Sequence, residues 1–115
     1  MEVVELVTIG RRSGKRRLTM LTVPVIDGDS LVLVASKGGD QRDPDWMKNL
    51  VATSQIEVTM RGERRRMLAR LASSEEHARL WPQVVASYGP YDHYRRRAQR
   101  VIPLVICTPD PSESH

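Results

Sequence analysis

Residues 3–9, Val-Val-Glu-Leu-Val-Thr-Ile, are rich in β-branched side chains and predict a strand. A second apolar stretch over 18–26 predicts another, in which Pro24 lacks an amide donor and marks an edge or a bulge. Asp27-Gly28-Asp29 predicts a hairpin turn, because Asp-Gly supplies the left-handed backbone such turns need. The unbroken apolar run 31–35 predicts a strand covered on both faces or set in a barrel wall. Asp43 followed by Pro44 reads as a helix cap with proline in the first turn, giving a short helix over 44–51. Ile56, Val58 and Met60, then Met67, Ala69 and Leu71, alternate with polar residues on either side of Arg61-Gly62-Glu63. That two-residue period predicts a second hairpin.

The period then changes to that of a helix. Ser73-Ser74-Glu75-Glu76 offers a capping box, and His77, Leu80, Trp81, Val84, Val85 and Tyr88 follow on one face. Gly89-Pro90 breaks this helix; a short helical piece over 91–99 and a last strand over 103–107 come next. The tail 108–115, with two prolines and two acids, is expected to be disordered. About six mostly antiparallel strands with two or three helices define a mainly β (α+β) chain, a small closed or split β-barrel. One domain is expected over 1–109, with 110–115 trailing from it.

Charge adds a partner to this picture. A formal net charge of +4 and a pI near 9.7 favour something anionic: nucleic acid, a membrane surface or an acidic small molecule. A single cysteine, Cys107, allows no internal disulfide, and the first apolar run is interrupted at Glu5 and ends at Gly10. A soluble cytoplasmic domain is the expectation. Five cations crowd into Gly10-Arg11-Arg12-Ser13-Gly14-Lys15-Arg16-Arg17, between the first two strands. Arginine forks match phosphate or carboxylate oxygens, and glycine lets backbone approach a ligand; a solvated turn carries equal weight on this loop alone. His77, His93 and His115 lie far apart without a ligand pattern, so no metal is expected. Cys107 has no neighbouring base, and no phosphate-binding or dinucleotide glycine motif occurs. Ser36-Lys37-Gly38-Gly39 at the end of an apolar strand suits either a ligand-facing nest or an ordinary loop. Trp46 suits core or ring platform, and Tyr88, Tyr91 and Tyr94 suit a pocket wall or an amphipathic face.

The order of these pieces is more specific than any one of them. Gly-Arg-Arg-Ser-Gly precedes a hairpin into Val34-Ala35-Ser36-Lys37-Gly38-Gly39; then come Pro44-Asp45-Trp46 with Asn49-Leu50-Val51-Ala52, Trp81-Pro82, Tyr88-Gly89-Pro90-Tyr91 and Arg100-Val101-Ile102-Pro103. From about residue 6 to 109 the chain resembles the deazaflavin (coenzyme F420)-dependent nitroreductase and quinone reductase family. The resemblance implies an FMN-binding-like split β-barrel that uses coenzyme F420, an 8-hydroxy-5-deazaflavin, in preference to FMN. That coenzyme carries a phosphate and a polyglutamate tail, which gives the basic loop a partner. Arg11, Arg12, Ser13 and Arg17 match family positions that hold phosphate and tail, and Leu18, Thr19, Met20 and Leu21 match the segment along the ring. Val34, Ala35, Ser36 and Lys37 match the strand end under the deazaflavin; Asp45, Trp46, Met47, Lys48 and Asn49 match a helix start that also touches it. Tyr88, Tyr91 and Tyr94 match tyrosines on the substrate side, Tyr91 nearest the cofactor.

The implied activity is hydride transfer from the reduced deazaflavin to an electron-poor acceptor: a quinone, an activated alkene or a nitro compound. Ser36, Tyr88, Tyr91 and Tyr94 are the expected catalytic hydroxyls, since no histidine or carboxylate is placed for the task. Two departures stand out. Thr22 occupies a second-strand position where the family often has a pocket tyrosine, and the sequence begins close to its first strand where typical members carry an amphipathic N-terminal extension. A more open acceptor pocket is expected. The expected partner is a small-molecule acceptor, in a monomer or homodimer, with weak contact at a membrane surface left open. The alternatives are an F420-binding protein without efficient reductase activity and a small basic nucleic-acid-binding barrel. Against the latter, the five aromatics cluster near the helices rather than along a basic strand face, and nucleic acid is not an expected partner.

Overall fold

The computed structural model describes residues 2–36 and 42–112. Along the chain run β1 (Glu2–Ile9), β2 (Arg16–Val23), β3 (Val25–Asp27), β4 (Ser30–Val34), α1 (Asp45–Ala52), β5 (Gln55–Met60), β6 (Glu63–Leu71), α2 (Ser74–Ser87), α3 (Pro90–Ala98) and β7 (Leu104–Pro109). The strands form a seven-stranded sheet in the order β2-β1-β5-β6-β7-β4-β3, and every pairing is antiparallel.

Pro24 explains why this sheet curls. β2 and β3 lie at opposite edges, yet only Pro24 separates Val23 from Val25. Two Cα–Cα steps span at most about 7 Å, so the two edges must meet there. The sheet therefore rolls into a half-barrel, which removes most of its exposed edge. The stretch 18–26, expected as one strand, is two strands split at this residue. Proline lacks an amide to continue either ladder, and its carbonyl oxygen accepts a 2.6 Å hydrogen bond from the Ser87 hydroxyl.

The core divides into two parts. Val4, Leu6, Leu33, Ile56, Met67, Val105 and Cys107 fill the barrel, joined by Trp46, Met47 and Leu50 of α1. On the other side of β4 and β7, Val32, Val34, Leu104 and Ile106 pack with Leu80 and Val84 of α2 and Tyr91 of α3. Both faces of β4 are thus covered, which is why its sequence is apolar without alternation. In the β5–β6 hairpin the expected alternation holds at Ile56, Val58, Met67 and Ala69, while Leu71 at the strand end is 42% exposed. Arg61 and Gly62 both take positive φ (53° and 78°), which matches the right-handed twist of the flanking strands.

Several boundaries are corrected. α1 begins at Asp45 with Pro44 in the cap position, and the Asp43 carboxylate accepts from Arg100 at 2.7 Å rather than capping the helix. α3 starts one residue earlier than expected, with Pro90 in its first turn. β7 extends through Thr108 and Pro109, which pair with Leu68 and Met67, so the ordered chain continues past the expected start of the tail. Asp110 is buried, its amide donating to the Arg66 carbonyl at 3.1 Å and its carboxylate accepting from the Ser112 amide and hydroxyl.

Candidate active site

The β1–β2 connection is a tight turn. The Gly10 amide donates to the Lys15 carbonyl at 2.8 Å, and the Gly14 amide to the Gly10 carbonyl at 2.8 Å. A Cβ on Gly10 would come within 2.7 Å of the Ser13 hydroxyl, so glycine is what lets the turn close. The turn is also tied to α1. The Asn49 amide oxygen accepts from the Arg11 backbone amide (3.2 Å) and from its guanidinium (2.9 Å), while Asn49 Nδ2 donates to the Thr8 hydroxyl (3.3 Å). A second Arg11 nitrogen reaches the Asp45 carboxylate at 3.3 Å.

These elements enclose an open cleft of about 450 Å³ lined by Thr8, Gly10, Arg11, Arg12, Ser13, Arg17, Leu18, Thr19, Asp45, Trp46 and Asn49. Three guanidinium groups face one carboxylate, that of Asp45, which is 80% exposed. Among the described residues Arg12 and Arg17 make no ion pair, whereas Arg11 is held by Asn49 and Asp45. The cleft is therefore net cationic, with two arginine forks available to a ligand.

Nine residues expected at the cofactor meet in this cleft: Arg11, Arg12, Ser13, Arg17, Leu18, Thr19, Asp45, Trp46 and Asn49. The other expected residues lie elsewhere. Met20, 56% exposed on the same face of β2 as Leu18, does not line the cleft; Leu21 packs on the barrel core, Met47 is buried within it, and Lys48 is exposed. Val34 belongs to the core under α2 and α3, Ala35 is fully buried, and Ser36 is 9% exposed at the end of β4. Lys37, with Gly38 and Gly39, lies outside the described residues. Gly10, expected to let the backbone of the turn approach a ligand, also lines the cleft, whereas Thr8 escaped the sequence reading. Strand alternation could have found Thr8, since Val4 and Leu6 point inward and a polar residue two further on shares their face.

The tyrosines form a separate cluster on α2 and α3. Tyr88 and Tyr91 meet edge to face with centroids 5.0 Å apart, and Tyr94 lies 6.2 Å from Tyr91 and 6.5 Å from Tyr88. Tyr91 is innermost, 6% exposed, and its hydroxyl is 3.1 Å from that of Thr22 on β2. Hydrogen bonding with Tyr94 raises the Tyr88 pKa above the ordinary tyrosine value. The motif Arg100-Val101-Ile102-Pro103 is structural in its contacts. Arg100 clasps Asp43 and donates to the carbonyls of Ala35 (3.3 Å) and Arg42 (3.2 Å); Ile102 is fully buried and its carbonyl meets His77 Nε2 at 2.8 Å.

A half-barrel that carries a net cationic cleft and, separately, a cluster of three phenols suits a protein that binds an anionic ligand. The family model for F420H(2)-dependent quinone reductases matches residues 1–109. An F420H(2)-dependent quinone reductase of Mycobacterium tuberculosis is 37% identical over 105 residues, covering 88% of this chain and 69% of that protein. A solved F420-H2-dependent reductase superposes with a TM-score of 0.82 at 33% identity, covering 91% of this chain and 92% of that one. Another solved chain, described as a domain-swapped dimer, gives a TM-score of 0.83 at 33% identity over 91% of this chain and 78% of its own. The chain belongs to the F420H(2)-dependent quinone reductase family. It is an F420-dependent oxidoreductase acting on a small-molecule acceptor.

The residues present fit that cofactor. Arginine forks, the Ser13 hydroxyl and the close turn at Gly10 suit a polyanion, and the largely buried Trp46 indole adds an apolar edge to the cleft wall.

Proposed function

We propose that the cleft between the β1–β2 turn and α1 holds the anionic part of coenzyme F420, with Arg12, Arg17 and Ser13 as its direct ligands. Arg11 acts differently, bracing the turn through Asn49 and Asp45. The observation that carries this reading is the pair of arginines without carboxylate partners in a cleft whose third arginine is already engaged. Leu18, Thr19 and Trp46 then border the cofactor's apolar part. Ser36 and the Tyr88–Tyr91–Tyr94 cluster form the acceptor side.

When bound, the reduced cofactor supplies hydride. The chain's own residues bind it, shape the space beside it and offer protons. Tyr91 presents a buried hydroxyl already held by Thr22, and Tyr88 retains its proton beside Tyr94. Such donors stabilise charge that develops on a reduced quinone oxygen. Quinones, activated alkenes and nitro compounds are the proposed acceptors.

The solved chain described as a domain-swapped dimer is compatible with a homodimer here, and a monomer is the alternative. Among the described residues no helix is long and apolar enough to cross a membrane. A cytoplasmic location with peripheral contact at a membrane surface is part of the same proposal.

Fluorescence titration with oxidised coenzyme F420 tests the cleft assignment. Arg12→Ala with Arg17→Ala removes two charge-assisted contacts of about 1.5–3 kcal/mol each, so affinity falls at least about tenfold for the pair. Affinity in the unmodified protein also falls with added salt and exceeds that for FMN. Melting temperature stays within a degree or two, because exposed, unpaired loop charges contribute little to folding. Unchanged F420 affinity in the double variant, or equal affinity for FMN, overturns the assignment.

A further inference from the structure

Thr22 on β2 has a long-range partner in the structure. Its hydroxyl lies 3.1 Å from the Tyr91 hydroxyl, a contact across 69 positions of sequence. Tyr91 is 6% exposed, packed edge-on against Tyr88 and Tyr94, so its ring is fixed by neighbours while its hydroxyl has one remaining freedom, rotation of the O–H bond. A hydroxyl that both donates and accepts can set that rotation.

We infer that Thr22 is a positioning residue for the reductase reaction: by hydrogen-bonding the Tyr91 hydroxyl it fixes where that phenol's proton points. The inference rests on the proposal that Tyr91 serves the acceptor side. Two features of the strand support it. β2 carries Leu18 and Thr19 into the cofactor cleft and Thr22 into contact with α3, so one rigid ladder relates both. Leu18 and Thr22 share one face of β2, and the four strand steps between them span about 13 Å, which sets the phenol at a fixed distance from the cleft wall. Thr22 itself is exposed and lies outside both core clusters, so its hydroxyl is not needed to fill either one.

The test is a double-mutant cycle on the full chain, with Thr22→Val, Thr22→Ser, Tyr91→Phe and Thr22→Val/Tyr91→Phe. Turnover of reduced F420 with menadione is followed together with cofactor affinity and melting temperature. Thr22→Val keeps the shape and removes the hydroxyl. It should lower kcat about three- to tenfold, as expected for one hydrogen bond, with F420 affinity within twofold. Thr22→Ser should restore turnover, and the double variant should be no slower than Tyr91→Phe alone. A full additional loss from Thr22→Val in the Tyr91→Phe background overturns the inference while leaving Tyr91 in place. Wild-type turnover in Tyr91→Phe removes the reading of Tyr91, and this inference with it. A Thr22→Ser variant as slow as Thr22→Val, or a loss confined to KM or to melting temperature, shows Thr22 to be structural and overturns the inference.

Discussion

Asn49 is 5% exposed on α1, and its one amide group meets three polar atoms: the Arg11 amide, the Arg11 guanidinium and the Thr8 hydroxyl. Besides these contacts the turn is held by its own hydrogen bonds and by the exposed Arg11–Asp45 pair. Asn49→Ala leaves the Thr8 hydroxyl, 1% exposed, without this donor and leaves the Arg11 guanidinium held by Asp45 alone. Loss of a partner at a buried polar group costs about 1–3 kcal/mol. Chemical denaturation should show a loss in that range, and F420 titration a parallel loss of affinity as the turn loosens. Full stability with unchanged affinity would mean that the turn needs no brace. Sequence alone grouped Arg11 with Arg12 and Arg17, because residue type does not reveal which arginine already has a partner.

Among the elements, α2 is the one whose start was fully legible. Ser73 accepts from the Glu76 amide at 3.2 Å, and the Glu76 carboxylate accepts from the Ser73 amide at 2.9 Å, the reciprocal capping pattern. The structure adds Arg70 of β6, which grips both Glu76 oxygens at 2.7 and 2.8 Å. This guanidinium, with the Ser73 amide, lowers the Glu76 pKa from 4.5 to about 2. A depressed carboxylate pKa means that the unfolded chain takes up the proton first on acidification. The stabilisation is therefore complete above about pH 4.5 and is lost as pH falls toward about 2. Thermal melts across this range should show the gap between wild type and Glu76→Gln closing as pH drops. A gap independent of pH would mean that the ion pair contributes nothing to α2. The start of α1 was read wrongly because Asp43 has a long-range partner, Arg100, which local spacing cannot show.

At the scale of the whole molecule, barrel closure buries the single thiol. Cys107 sits on β7 facing the barrel interior, 0% exposed, and burial pushes its pKa up to about 12. β7 lies between β6 and β4 in the middle of that side of the sheet, so no edge opening exposes it. In the native protein a disulfide reagent at pH 8 should label no thiol, and labelling should follow global unfolding in denaturant. Fast labelling without denaturant would show that the barrel opens locally at β7.

The sequence by itself determined most of the strands, the hairpin turns, the capping box and the family, because periodicity, turn chemistry and motif order are local properties of the chain. It also identified the residues of the basic turn and the helix start that share the cleft. Only the tertiary structure decided that 18–26 divides between the two edges of one sheet, that Asn49 and Asp45 engage Arg11 and leave Arg12 and Arg17 available, and that Thr22 meets Tyr91. Each of these depends on which distant strand or helix lies alongside. A hydrogen bond spanning 38 or 69 positions leaves no mark in any local pattern.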